Sequence, residues 1–198
     1  MGAISEELIQ LYHPAFVALV EANPALARRL QARQFGCPTK VFACAMGERS
    51  GQTPFTIVRK GTGDNVASSS ILPLSAEAKE LWRLTEVETL DVPMRTLDEI
   101  WSECEAGDTV DLLKLDVQGY EPQVLMGGLT VLPRTRVIVC EMSFVREYKD
   151  QWLFGRLYEF LNDHGFELSA TYEVARRNNW APLQCNGVFV NTRMSAKV

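Results

Sequence analysis

Long apolar runs are missing from this sequence. No stretch approaches the roughly 18 consecutive apolar residues that a membrane-crossing helix needs, so no membrane span is expected. Histidine is scarce, with two in 198 residues, and His13 and His164 both fall at expected helix ends. The five cysteines (Cys37, Cys44, Cys104, Cys140 and Cys185) are odd in number, widely spaced and free of any Cys-x-x-Cys pair. Neither a zinc site nor a disulfide framework follows, and no residue is assigned to a metal. Cys44 and Cys140 sit in apolar runs, where a small buried hydrophobe is the expected role. A basic excess is also absent. With a net charge of −5 and a pI near 5.2, no nucleic-acid partner is expected. The amino terminus lacks the basic-then-apolar order of a secretory signal, so a reducing cytoplasm is the expected location. Gly61-Thr-Gly63 has no buried strand before it and no helix after it, so it is not a phosphate loop.

What is present is a globular chain, 46% apolar, long enough for one domain over residues 1–198. Ser5 can cap a helix that His13-Pro14 stops. Apolar strands are expected over 15–20, 41–45, 110–115 and 135–140, with shorter ones at 86–92, 166–168 and 187–190. Helices are expected from Pro24 to about 34, from Thr96 to about 104, over 122–126 and over 151–163. Thr96 and Glu99 form a capping-box pattern, and Gly127-Gly128 read as a helix C-cap pair. Residues 48–90 break the rhythm as a loop-rich insertion, with one antiparallel strand over 53–58. The tail 194–198 is expected to fray. Strand-helix-strand order predicts an α/β fold, a doubly wound, mostly parallel sheet.

Three buried strands end in acids: Glu21, Asp116 and Glu141. Parallel strands share a direction, so these carboxylates should line one edge of the sheet, where α/β folds bind ligands. An acid after the second strand of a nucleotide-binding half can accept hydrogen bonds from vicinal ribose hydroxyls. Local roles compete with these. Glu21 could simply precede a helix N-terminus, Glu121 could cap one, and Glu141 could pair with an Arg or Lys.

The runs Met94-Arg-Thr-Leu-Asp-Glu-Ile, Asp111-Leu-Leu-Lys-Leu-Asp-Val-Gln-Gly-Tyr-Glu, Val124-Leu-Met-Gly-Gly and Val137-Ile-Val-Cys-Glu resemble segments of the FkbM family of S-adenosylmethionine-dependent methyltransferases. Phe16-Val-Ala-Leu-Val-Glu-Ala-Asn-Pro is similar to the family's second-strand segment. Gln118 stands where the family usually has Glu, and Ala22 where it usually has Pro. The resemblance implies a Rossmann-like class I methyltransferase fold with an antiparallel final strand. It also implies methyl transfer from S-adenosylmethionine to a hydroxyl of a small molecule, sugar or glycan. By the same resemblance Glu21 would hold the ribose, and Ala45 and Met46 would pack near the adenine. Asp116 would meet the cofactor's amino-acid end or the reacting oxygen. Glu121 and Glu141 are the other candidates for base or substrate contact, and the stretch 61–90 would choose the acceptor. Gly2 matches the last glycine of the family's cofactor loop. The first strand and most of that loop would precede Met1, so a truncated frame is expected, with a strand edge open to oligomer formation. Two other classes stay open: a non-catalytic methyltransferase-like domain, and another nucleotide-binding α/β enzyme such as an NAD-dependent oxidoreductase.

Overall fold

Local signals set the helix ends. In the computed structural model, which describes residues 3–60, 68–104, 106–178 and 180–195, helix α1 (Ala3–Tyr12) stops where His13 turns left-handed (φ 46°) ahead of Pro14. Strand β1 (Val17–Val20) leads to α2 (Pro24–Gln31), whose N-cap Asn23 accepts from the Ala25 and Leu26 N–H groups. After β2 (Thr39–Phe42), β3 (Ala45–Met46), β4 (Gly51–Lys60), α3 (Ala76–Trp82) and β5 (Leu84–Arg95) comes α4 (Leu97–Ser102). Helix α4 opens with the expected reciprocal capping box of Thr96 and Glu99. The second half is β6 (Val110–Leu115), α5 (Glu121–Met126), a 3-10 turn (Leu132–Arg134), β7 (Thr135–Ser143), α6 (Phe154–Asp163), β8 (Phe166–Arg176), β9 (Pro182–Asn191) and α7 (Thr192–Ser195). Gly2, Gly61, Gly63 and the end of the expected tail lie outside the described residues. Among the described residues no helix is long and apolar enough to cross a membrane.

The strands form three hydrogen-bonded groups among the described residues: β1–β2, β3–β5–β4 and β6–β7–β9–β8. The pairs β1/β2, β3/β5 and β6/β7 are parallel, whereas β4/β5, β7/β9 and β8/β9 are antiparallel. The fold is therefore mixed α/β rather than mostly parallel by strand pairs, with the expected antiparallel final strand. The short link between β8 and β9 can only return antiparallel, because a parallel return needs a crossover of a dozen or more residues. Apolar packing joins what hydrogen bonds do not. Trp101 and Met46 pack against both the Phe42–Cys44–Ile100–Cys104 cluster and the larger core around Leu115, Ile138, Cys140 and Phe189.

Among its described residues, the expected loop-rich insertion is largely regular structure. Strands β4 and β5 pair antiparallel over nearly their whole lengths, from Gly51↔Met94 to Lys60↔Leu84. Gly51 and Pro54 were read as loop punctuation, but β4 is an edge strand, where a residue without an N–H donor is tolerated. The glycine pair closes α5 as expected, with Gly127 at the C-cap, but a further cause makes these residues glycine. Gly127 has φ −79°, and a Cβ there would sit 2.1 Å from the Gly47 carbonyl oxygen. At Gly128 it would meet Leu97 at 2.6 Å. Both glycines serve close packing, not a left-handed cap.

Candidate active site

The turn from β6 to α5 is built by opposed demands. Leu115 is buried, and the next side chain, Asp116, is 54% exposed at the strand's C-terminal end. The chain then passes through two left-handed residues, Gln118 (φ 55°) and Gly119 (φ 91°). A side chain at 119 would be strained by that φ and would press on Tyr148 at 3.0 Å, so glycine is required there. Glu121 folds back under the turn, where its Oε1 accepts from Val117 N–H (3.1 Å) and Gly119 N–H (3.4 Å). Burial pushes its carboxyl up to about 7 and nearby Asp116 adds to this, against the pull of those N–H groups. The capping role weighed from the sequence is thus visible, but directed at the turn rather than at α5.

Four positions far apart in sequence meet at the C-terminal ends of β1, β3 and β6. Glu21, Ala45, Met46 and Asp116 all line one crevice of about 110 Å³, with Asn23, Leu26 and Cys44 beside them. The Oε1 of Glu21 accepts from the Asn23 N–H (2.8 Å). Burial raises its pKa, and backbone N–H groups partly offset that. Asp116 accepts from Gln118 Nε2 (2.7 Å) and lies 3.5 Å from Lys114 Nζ. Glu121 and Glu141 do not line this crevice. Glu141 lies within β7 rather than just past it, and it accepts from Gln184 Nε2 (2.9 Å) instead of pairing with an Arg or Lys. Its carboxyl is pushed up to about 8 by burial, with Glu121, Asp116 and Glu147 adding to the shift.

Several crevice residues escaped the sequence reading. Phe55, Ser69 and Ile71 reach in from the 48–90 stretch, and Val117, Gln118 and Tyr120 from the β6–α5 turn. The Ser68-Ser-Ser70 run was the one local hint, because serine hydroxyls can stitch irregular chain to a neighbour. A second groove of about 1,010 Å³ lies between residues 73–81 and 145–156, with Trp152, Arg156 and Arg177 on its walls. Tyr148 lines that groove, while its hydroxyl donates towards Gln118, which lines the first crevice. This contact links a wall of one space to a wall of the other.

The family model of the methyltransferase FkbM domain matches residues 14–168, which carry every wall of the first crevice. The chain belongs to the FkbM methyltransferase family. A curated relative, the 2-O-methyltransferase NoeI of Sinorhizobium fredii (strain NBRC 101917 / NGR234), is 28% identical over 177 residues, covering 86% of this chain and 70% of that protein. No solved structure matches. The mixed α/β architecture of this FkbM methyltransferase is consistent with a class I methyltransferase fold, and a family of methyltransferases implies a methyl donor.

Proposed function

We propose that the chain is an S-adenosylmethionine-dependent O-methyltransferase acting on a hydroxyl of a sugar, glycan or other small molecule. The crevice at the ends of β1, β3 and β6 is its donor site. One observation carries this reading: Glu21, Ala45, Met46 and Asp116, spread over nearly a hundred residues, line the same crevice. The donor set suits the cofactor. The half-buried Glu21 carboxylate on the crevice wall can accept from a ribose diol. Met46, Phe55 and Ile71 offer apolar surface to a flat base, and exposed Asp116 can face an ammonium. The crevice is smaller than the 300–1,000 Å³ typical of fully enclosing ligand pockets, so it would hold part of the cofactor and leave the rest against its open side. The single domain and the class I reading of the sheet belong to the same proposal.

When bound, S-adenosylmethionine supplies an activated methyl group on its sulfonium. The protein's share is to hold an acceptor oxygen in line and to take its proton. Asp116 lies on the crevice and can orient either the donor or the hydroxyl. Glu141, raised to about 8 by burial, lies off the crevice on β7 and is the second candidate for the acceptor's proton. Glu121 is assigned to the turn. The hydroxyl acceptor follows the relative's printed 2-O specificity.

Calorimetry with S-adenosylmethionine, S-adenosylhomocysteine and NAD tests the reading. Binding of the first two, lost in Glu21→Ala, is the expected result. Silence with both sulfur ligands would reject it, and binding of NAD alone would point to an oxidoreductase.

A further inference from the structure

The amide at position 118 is held at both ends and along its backbone. Its Nε2 donates to Asp116 Oδ1 at 2.7 Å, and its Oε1 accepts from the Tyr148 hydroxyl at 3.1 Å. Tyr148 is buried and its one hydroxyl proton is shared between Gln118 Oε1 and the Ser68 carbonyl, also at 3.1 Å. The Gln118 carbonyl accepts from Ser70 Oγ at 2.8 Å. The partners settle which end of the amide is which. A carboxylate oxygen only accepts, so the NH₂ must face Asp116 and leave the oxygen for the hydroxyl. The backbone under this side chain is left-handed, a conformation a non-glycine residue holds only when its surroundings impose it.

We infer that Gln118 is a positioning residue: its amide clamps the Asp116 carboxylate against the donor crevice and couples it to Tyr148. This deepens the donor-site reading above and rests on it. A glutamate of the same length would put a second carboxylate oxygen against Asp116. It could give the same hydrogen bond only while carrying a proton, because two carboxylates at that distance do not both ionise. Gln118 supplies that donor at every pH.

Gln118→Glu tests the clamp through its pH dependence, which a merely structural side chain would not generate. The other charged and titratable groups around the pair are Glu21 and Tyr120 on the same crevice, Lys114 on β6, Glu121 on α5, Glu141 on β7, Glu147 and Tyr148 beyond it, and Tyr172 on β8. All are common to parent and variant, so the difference between the two proteins isolates position 118. In ligand-free protein, Gln118→Glu should melt close to the parent at pH 5. At pH 9, where the shared proton is gone, it should fall behind by about 3–6 °C. Asp116→Asn combined with Gln118→Glu restores one amide and one carboxylate, and its melting should follow the parent across the range. A Gln118→Glu protein that tracks the parent at every pH, or a double variant that keeps the loss, overturns the clamp.

Calorimetry with S-adenosylhomocysteine supplies the second readout. The affinity of Gln118→Glu should match the parent at pH 6 and weaken about tenfold or more by pH 9. A ratio that stays constant with pH overturns the positioning role. A parent protein that binds no S-adenosylhomocysteine overturns the donor-site reading instead, while the ligand-free melts judge the clamp by themselves.

Discussion

Replacing Glu121 by Gln isolates the cost of keeping a carboxylate under the β6–α5 turn. The side chain is 3% exposed, so solvent screens it little. Its pKa is raised from 4.5 to about 7, chiefly by burial. A carboxyl raised in the folded state holds its proton more tightly there than in the unfolded chain. The stability it contributes is complete below the unfolded value and is lost as pH rises through the folded one. A rise from 4.5 to about 7 corresponds to a full loss of about 3 kcal/mol, most of which falls between pH 5 and pH 8. Gln does not titrate, and its carbonyl oxygen can still accept from the Val117 and Gly119 N–H groups. Urea unfolding of parent and Glu121→Gln at pH 5 and pH 8 should show the difference swinging by about 2–3 kcal/mol in favour of Gln. A constant offset between the two proteins would mean that Glu121 does not titrate in this range, and the account of the turn would be wrong.

Two packing and capping changes check the frame around the site. Gly127→Ala puts a Cβ 2.1 Å from a backbone oxygen that cannot rotate away, so denaturant unfolding should show a loss of about 4 kcal/mol or more. Gly128→Ala presses only on the Leu97 side chain, and a loss of about 1–3 kcal/mol is expected; the reverse order would contradict the packing described here. Thr96→Ala removes one half of the capping box on α4 and should lower stability by about 1 kcal/mol in the same assay.

The sequence was most legible where the cause is local. Pro24 opens α2 and Thr96-x-x-Glu99 caps α4, both signals acting within a few residues of themselves, and both appear as expected. Strand-end acids were legible because parallel strands carry their ends to one edge, which brought Glu21 and Asp116 to one crevice. Legibility failed where the cause lies far along the chain. The β4/β5 pairing joins residues as far apart as Gly51 and Met94 and overrides the Gly and Pro punctuation inside it. Strands β8 and β9 outrun their apolar stretches because each is paired along its length by the other. Gly127 is glycine because of Gly47, eighty residues earlier, and nothing beside it in the sequence says so. Glu121 looked like a helix cap because its spacing to Pro122 fits one; the direction of its side chain is decided by the two N–H groups behind it.

The same distinction changes the part given to the 48–90 stretch. As a free loop it would act on the acceptor alone, but its residues line both spaces: Phe55, Ser69 and Ile71 the crevice, Leu74 and Leu81 the groove. It is also tied to the site at several points. Ser70 pairs with Thr56 and donates to the Gln118 carbonyl, Ser68 accepts from Tyr148, and Ser75 N–H and Lys149 N–H exchange hydrogen bonds across to Glu147 and Pro73. These ties close on the strained Gln118–Gly119 turn that sets Asp116. The order of the stretch and the order of the turn are therefore coupled, and a change that relaxes the turn should loosen the walls of both spaces together.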